Sequence, residues 1–215
     1  MRRSILFFFL LFALHVSSAA QAGKVEAIGP LADTSVSDAV RQSLEATGSR
    51  VSLADGKAFC DVWLRKAIPA SDRKDSEAIY PQLSQSSFVG VISFAVPATD
   101  YRGQAIHPGF YTLRYEALPS NGDHLGVAPA PDFLLLIPAA SDPDPDAKFA
   151  FEPFMTLSRK ATGTRHPAPL SMVEAGSAPG INKDDQGHWV YTGKLKLASG
   201  QEVPFGLVVK GTAPQ

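Results

Sequence analysis

Residues 188–209 read HWVYTGKLKLASGQEVPFGLVV. Two runs rich in β-branched and aromatic residues flank Ser199-Gly200, a pair suited to a tight turn, so the stretch predicts a β-hairpin. Similar composition recurs upstream. Residues 88–96 (FVGVISFAV) read as a strand stopped by Pro97, and residues 110–115 (FYTLRY) as another. Residues 133–137 (FLLLI) are apolar at every position, which places them centrally in a sheet covered on both faces. A second hairpin is predicted where Val51-Ser52-Leu53 meets an Asp55-Gly56 turn and residues 58–64 return. Residues 170–173 make a short strand.

Two segments carry helical spacing instead. In 34–48, Thr34 or Ser35 can cap, Val36, Val40 and Leu44 recur every fourth residue, and Gly48 stops the run. In the second, Phe151, Phe154 and Met155 share a face, Pro153 suits a first turn and Gly163 a stop. Residues 67–86 and 175–187 read as connections. The expected fold is therefore mainly β: a two-layer antiparallel β-sandwich of about eight strands with two short helices. A closed barrel is the structural alternative.

The chain has 215 residues, 45% of them hydrophobic and 19% charged, with a formal net charge of −1. This excludes a disordered tail and a strongly basic nucleic-acid binder. The one cysteine excludes an intrachain disulfide. Arg2 and Arg3 precede an apolar run at 5–14 and small residues that end in Ala20 and Ala22, the pattern of a secretory signal peptide. The run is short for a bilayer span, which takes roughly 20 apolar residues. The expectation is a signal peptide over 1–22, cleavage near Ala22, and a single domain over 23–215. The product would be periplasmic or extracellular, with no stable membrane span after cleavage and no nucleic-acid partner.

Motifs with chemical content are few. Gly176 to Gly180 holds its serine one place early for a nucleophile elbow. Gly187 to Lys194 has one residue too many for a phosphate loop, and Leu195 replaces the hydroxyl residue. Asp142, Asp144 and Asp146 mimic the opening of a calcium loop, but Ala147 and Pro153 stand where glycine and a carboxylate are required. That run reads as a stiff, solvent-facing loop. Cys60 shares a face with Val62 and Leu64 and reads as a buried thiol. Trp63 faces the other way, either beneath the 67–86 connection or as a platform for a ligand.

Counting strand crossings sorts the histidines into two ends. One end would gather His107 and His166 with Asp100, Tyr101, Arg102 and Arg165, a polar patch suited to an anionic group. The other would gather His124 and His188 with Asn121, Asp123, Asp184 and Asp185. From that end Asp123, His124, Asp184, Asp185 and His188 form a candidate divalent-metal set.

The blocks 59–66 (FCDVWLRK), 100–104 (DYRGQ), 106–115 (IHPGFYTLRY), 121–127 (NGDHLGV) and 132–136 (DFLLL) resemble an uncharacterised family of exported bacterial β-sandwich proteins. That resemblance implies the fold and export, and carries no functional residues across. The Pro108-Gly109-Phe110-Tyr111-Thr112-Leu113 element is also similar to the hairpin of transthyretin-like and carboxypeptidase-regulatory sandwiches, which bears on fold alone. The resulting expectation is a non-catalytic exported binding or accessory domain for a small-molecule or protein ligand, with no cofactor. Two other readings compete with it. One is a periplasmic metal-binding protein using the His/Asp loops; the other is a hydrolase with a site assembled from distant loops.

Overall fold

A computed structural model of the chain describes residues 22–71, 78–117 and 131–213. Strands β1 (Lys24–Ile28), β2 (Gly48–Ser52), β3 (Ala58–Leu64) and β4 (Phe88–Phe94) come first. The two-residue strands β5 (Ala98–Thr99) and β6 (Ala105–Ile106) pair with each other. Then follow β7 (Gly109–Ala117), β8 (Asp132–Pro138), β9 (Pro169–Val173), β10 (Gly180–Lys183), β11 (Trp189–Lys196) and β12 (Glu202–Lys210). Helix α1 (Asp38–Ser43) lies between β1 and β2 in the chain, and α2 (Phe151–Thr162) between β8 and β9.

The chain is mainly β with two helices, as expected, but the expected two-layer sandwich of about eight strands is replaced by one sheet. Ten strands join it in the order β1-β2-β3-β4-β7-β8-β9-β12-β11-β10, and every pairing is antiparallel. The reason is connectivity. From β1 to β9 each long strand lies beside its predecessor, so nothing sends the chain to a second layer. Twist then curls the sheet, helped by register shifts at Val51/Ser52, Phe88/Gly90 and Trp189/Val190. The curl brings the edge strands β1 and β10 within 8 Å of each other, Cα to Cα, although they do not pair. The result is nearly a barrel with one seam.

Side chains fill the inside. Val62, Ile92, Leu113, Leu134, Met172, Phe205 and Leu207 belong to one buried cluster with Cys60 and Tyr191. Two smaller clusters cover the outer face. The first packs Leu31, Val36 and Val40 over Trp63, Phe88 and Val91. The second packs Phe154 and Met155 of α2 over Leu135, Ile137, Val190 and Val208. Because β8 is buried on both faces and sits between β7 and β9, the all-apolar reading of 133–137 holds.

Local chemistry sets the helix limits. Ser37 caps α1 by accepting from the Val40 amide at 3.2 Å, while Asp33 is drawn into a turn with Ser35. The helix is therefore six residues long rather than spanning 34–48, and Gly48 opens β2. Helix α2 ends where expected, at Gly163, whose φ of 67° is the left-handed conformation glycine adopts at low cost. Ser158 of α2 donates to the Leu136 carbonyl at 2.9 Å and accepts from the Ala168 amide at 2.9 Å, which pins the helix to β8.

The loop after β8 differs from its solvent-facing reading. Asp142 is 1% exposed and forms a buried ion pair with Arg114 of β7, itself 0% exposed. All five guanidinium hydrogens have acceptors: both Asp142 oxygens and the carbonyls of Ser86, Asp144 and Ala147. Phe88 and Phe149 lie against the same group. Asp144 and Asp146 do face solvent. Trp63 is also covered, among the described residues by the segment after β1, and its indole N–H donates to the Gly29 carbonyl at 2.9 Å. It offers no platform.

Candidate functional site

The expected pairing of histidines by pole is altered by β10. The expected 175–187 connection contains a strand: 180–183 cross the sheet once more, so the 184–188 turn lies at the opposite end from the one a count without β10 gives it. It meets Tyr101: the Tyr101 and His188 rings stand edge to face with centroids 5.6 Å apart. Asp184 accepts from the His188 amide at 2.8 Å and sits 3.0 Å from its Nδ1, while Nε2 lies 3.1 Å from the Thr212 carbonyl oxygen. Both ring nitrogens are thus engaged with oxygens that only accept, and neither presents a lone pair outward.

Of the candidate metal set, Asp184 and His188 touch each other, and Asp185 is exposed on the same turn. Asp123 and His124, with Asn121, lie outside the described residues. Among the described residues no group of three or more His, Cys, Asp or Glu side chains is arranged to hold a metal.

The anionic patch is partly assembled. Arg102, Arg165 and His166 are exposed near one another. Desolvation, then the fields of Arg102, Arg165 and Arg159, hold the His166 imidazole below its ordinary value. Tyr101 does not join this surface. It is 2% exposed, packed beneath His188, with no hydrogen-bond partner for its hydroxyl among the described residues. His107 is exposed, and its carbonyl accepts from the Tyr111 hydroxyl at 2.8 Å. Asp100 beside the patch is buried. Burial pushes its carboxyl up, and hydrogen bonds from Gln104 and Arg102 offset part of that.

Asp132 accepts from the Ile79 and Tyr80 amides and from the Tyr115 hydroxyl at 2.9, 3.2 and 2.6 Å, tying the segment before β4 to β8. Cys60 is 2% exposed, and burial pushes its thiol up, away from the thiolate a redox or metal role needs. No described histidine ring is hydrogen-bonded to a hydroxyl or thiol, the geometry a hydrolytic base and nucleophile would share.

A cavity lies elsewhere, along the seam. It measures about 580 Å³ and is walled by the β1 side (Gly23, Lys24, Val25), by the start of β10 and by Tyr191 to Gly193 of β11. The Tyr191 hydroxyl donates to Ser49 Oγ of β2 at 3.1 Å, which ties the two sides of the sheet together across the seam. Burial pushes the Tyr191 phenol up, against the lowering effect of the Ser49 bond. Among the described residues Lys24 is the only charged side chain in the lining, and it is paired with Glu26 at 2.7 Å. Among the described residues no acid lines the cavity. The size falls within the usual range for ligand clefts.

No family model, no curated protein and no solved structure matches this chain. The site must therefore be judged on its own geometry. The sequence reading missed the seam because it missed both walls. The signal was present in the alternation of Lys24-Val25-Glu26-Ala27-Ile28, with charges on the face that β1 leaves exposed, a common device of edge strands. For β10 the only trace was Ile181 between Gly180 and Asn182, too short to separate from a loop.

Proposed function

We propose that this chain is an exported, non-catalytic binding or accessory domain whose ligand occupies the seam between β1 and β10. The observation that carries the reading is two strand edges side by side, unpaired among the described residues, with a cavity of about 580 Å³ between their walls. Such edges present free N–H and C=O groups, which favour a ligand able to pair with extended backbone. Among the described residues, large buried side chains pack the inside of the sheet. Export rests on the leader pattern at 1–22 and on the resemblance of the five motif blocks. Among the described residues no helix is long and apolar enough to cross a membrane.

The test is a titration of the mature protein with N-acetyl-trialanine, followed by amide resonances. The seam reading expects shifts concentrated at Val25, Ile181 and Thr192. It also expects their loss in Ala178→Trp, which puts an indole at the exposed rim of the cavity without disturbing the core. Shifts spread evenly over the molecule, or unchanged in that variant, would contradict it.

A further inference from the structure

The arginines among the described residues divide into two groups. Arg41, Arg50, Arg65 and Arg114 each pair with an aspartate. Arg102, Arg159 and Arg165 pair with no carboxylate among the described residues. They come from three segments: the turn between β5 and β6, the last turn of α2, and the stretch leading into β9. All three act on one exposed side chain, His166, whose imidazole their fields help to hold below its ordinary value. The Arg159 Nε is buried with no hydrogen-bond partner among the described residues, so its guanidinium is not satisfied by the fold. The end of α2 offsets little of this charge, since a helix C-terminus supplies only about half a negative charge.

The backbone under the cluster is tied together. The Gln104 side-chain amide donates to the Asp100 carboxylate at 2.6 Å and to the Pro167 carbonyl at 2.9 Å, and its oxygen accepts from the Thr164 hydroxyl at 2.5 Å. The Tyr101 amide donates to the Pro169 carbonyl at 2.7 Å, and the His166 amide to Thr164 Oγ at 3.0 Å. Asp100, the acid of this turn, is buried and accepts from the Arg102 and Gln104 amides at 2.9 and 2.8 Å. Its carboxylate is engaged inside and is not presented to the arginine side chains at the surface. The segments carrying Arg102, Arg165 and His166 are therefore set before a ligand arrives, which lowers the ordering cost of binding.

We propose that Arg102, Arg159, Arg165 and His166 bind the phosphate group of a phosphate monoester. The site is separate from the seam and stands or falls independently of it. A guanidinium fork matches two oxygens of one phosphate, and a dianion answers three cations better than a single carboxylate does. Arg102, Arg165 and His166 are exposed, so the ester substituent is free to point into solvent.

The experiment is a titration of the purified protein at constant ionic strength with phenyl phosphate, with inorganic phosphate and with acetate. It reads the amide resonances of 102–104 and 164–166 and the His166 ring. The expected result is saturable shifts confined to those residues, with phenyl phosphate bound no more weakly than inorganic phosphate and acetate bound about tenfold or more weakly. Arg159→Gln and Arg165→Gln should each weaken phenyl phosphate about tenfold, the loss expected for one charge-assisted hydrogen bond. Lys194→Gln, which removes an exposed cation of β11, should leave the affinity unchanged. Acetate binding as tightly as phosphate overturns the phosphate group as ligand, and binding of inorganic phosphate alone overturns the monoester. Shifts spread over the molecule, affinity unchanged in Arg165→Gln, or an equal loss in Lys194→Gln overturns the site. The Arg165 variant keeps the test decisive if Arg159→Gln unsettles α2.

Discussion

Arg114 and Asp142 show how much a single residue can hide from a reading of the sequence. The run Asp142-Pro143-Asp144-Pro145-Asp146 looks solvated because its charges have no partner nearby in the chain. The partner lies 28 residues earlier, on β7, and only the fold brings it in. Once paired, the two charges are lost from solvent together, and each remaining donor finds a carbonyl. Removing one partner leaves the other charged and buried. Arg114→Met is therefore expected to destabilise the protein by about 3–5 kcal/mol, measured by urea unfolding. A loss under about 1 kcal/mol would mean that Asp142 finds water or another donor. Cys60 and Trp63 mark the boundary of what was readable. Alternation in β3 is local, so it gave their opposite faces correctly. What covers Trp63 comes from the segment before α1 and from Gly29, more than twenty positions away, and could not be read from spacing.

Elements with strong periodicity and clear stops were legible. Helix α2 was, because Phe154, Met155, Ser158 and Ala161 fall on one buried face and Gly163 ends it. So were β3, β4, β7, β8, β11 and β12, whose apolar content is dense. Helix α1 was overextended, because Val36 and Leu44 continue its period although they are buried outside the helix. The costly miss was β10. One uncounted crossing put the 184–188 turn, with His188, Asp184 and Asp185 on it, at the pole of Tyr101. At this scale Ser158 is the informative position, since one hydroxyl serves both the β8 carbonyl and the Ala168 amide. Ser158→Ala leaves both unpaired in a buried place and should cost about 1–3 kcal/mol. Faster amide exchange at Ala168, confined to α2 and the start of β9, would accompany it. A uniform change across the sheet would instead point to a packing effect without the specific bonds.

For the molecule as a whole, the mainly antiparallel β class follows from composition and turn chemistry, while the choice between stacked layers and a curled sheet does not. That choice depends on whether successive hairpins stay neighbours, which is a property of long-range pairing. Here they do, and the edges meet. The proposed site lies at the seam because, among the described residues, the edges of β1 and β10 are left unpaired there. The most direct measurement is amide hydrogen exchange of the free mature protein over Lys24–Ile28 and Gly180–Lys183. Alternate amides of each strand should be protected by β2 and β11, and the amides between them should exchange rapidly until N-acetyl-trialanine is added. Uniform slow exchange along both strands without added peptide would mean that the seam is already closed by hydrogen bonds, and the proposed site would not exist.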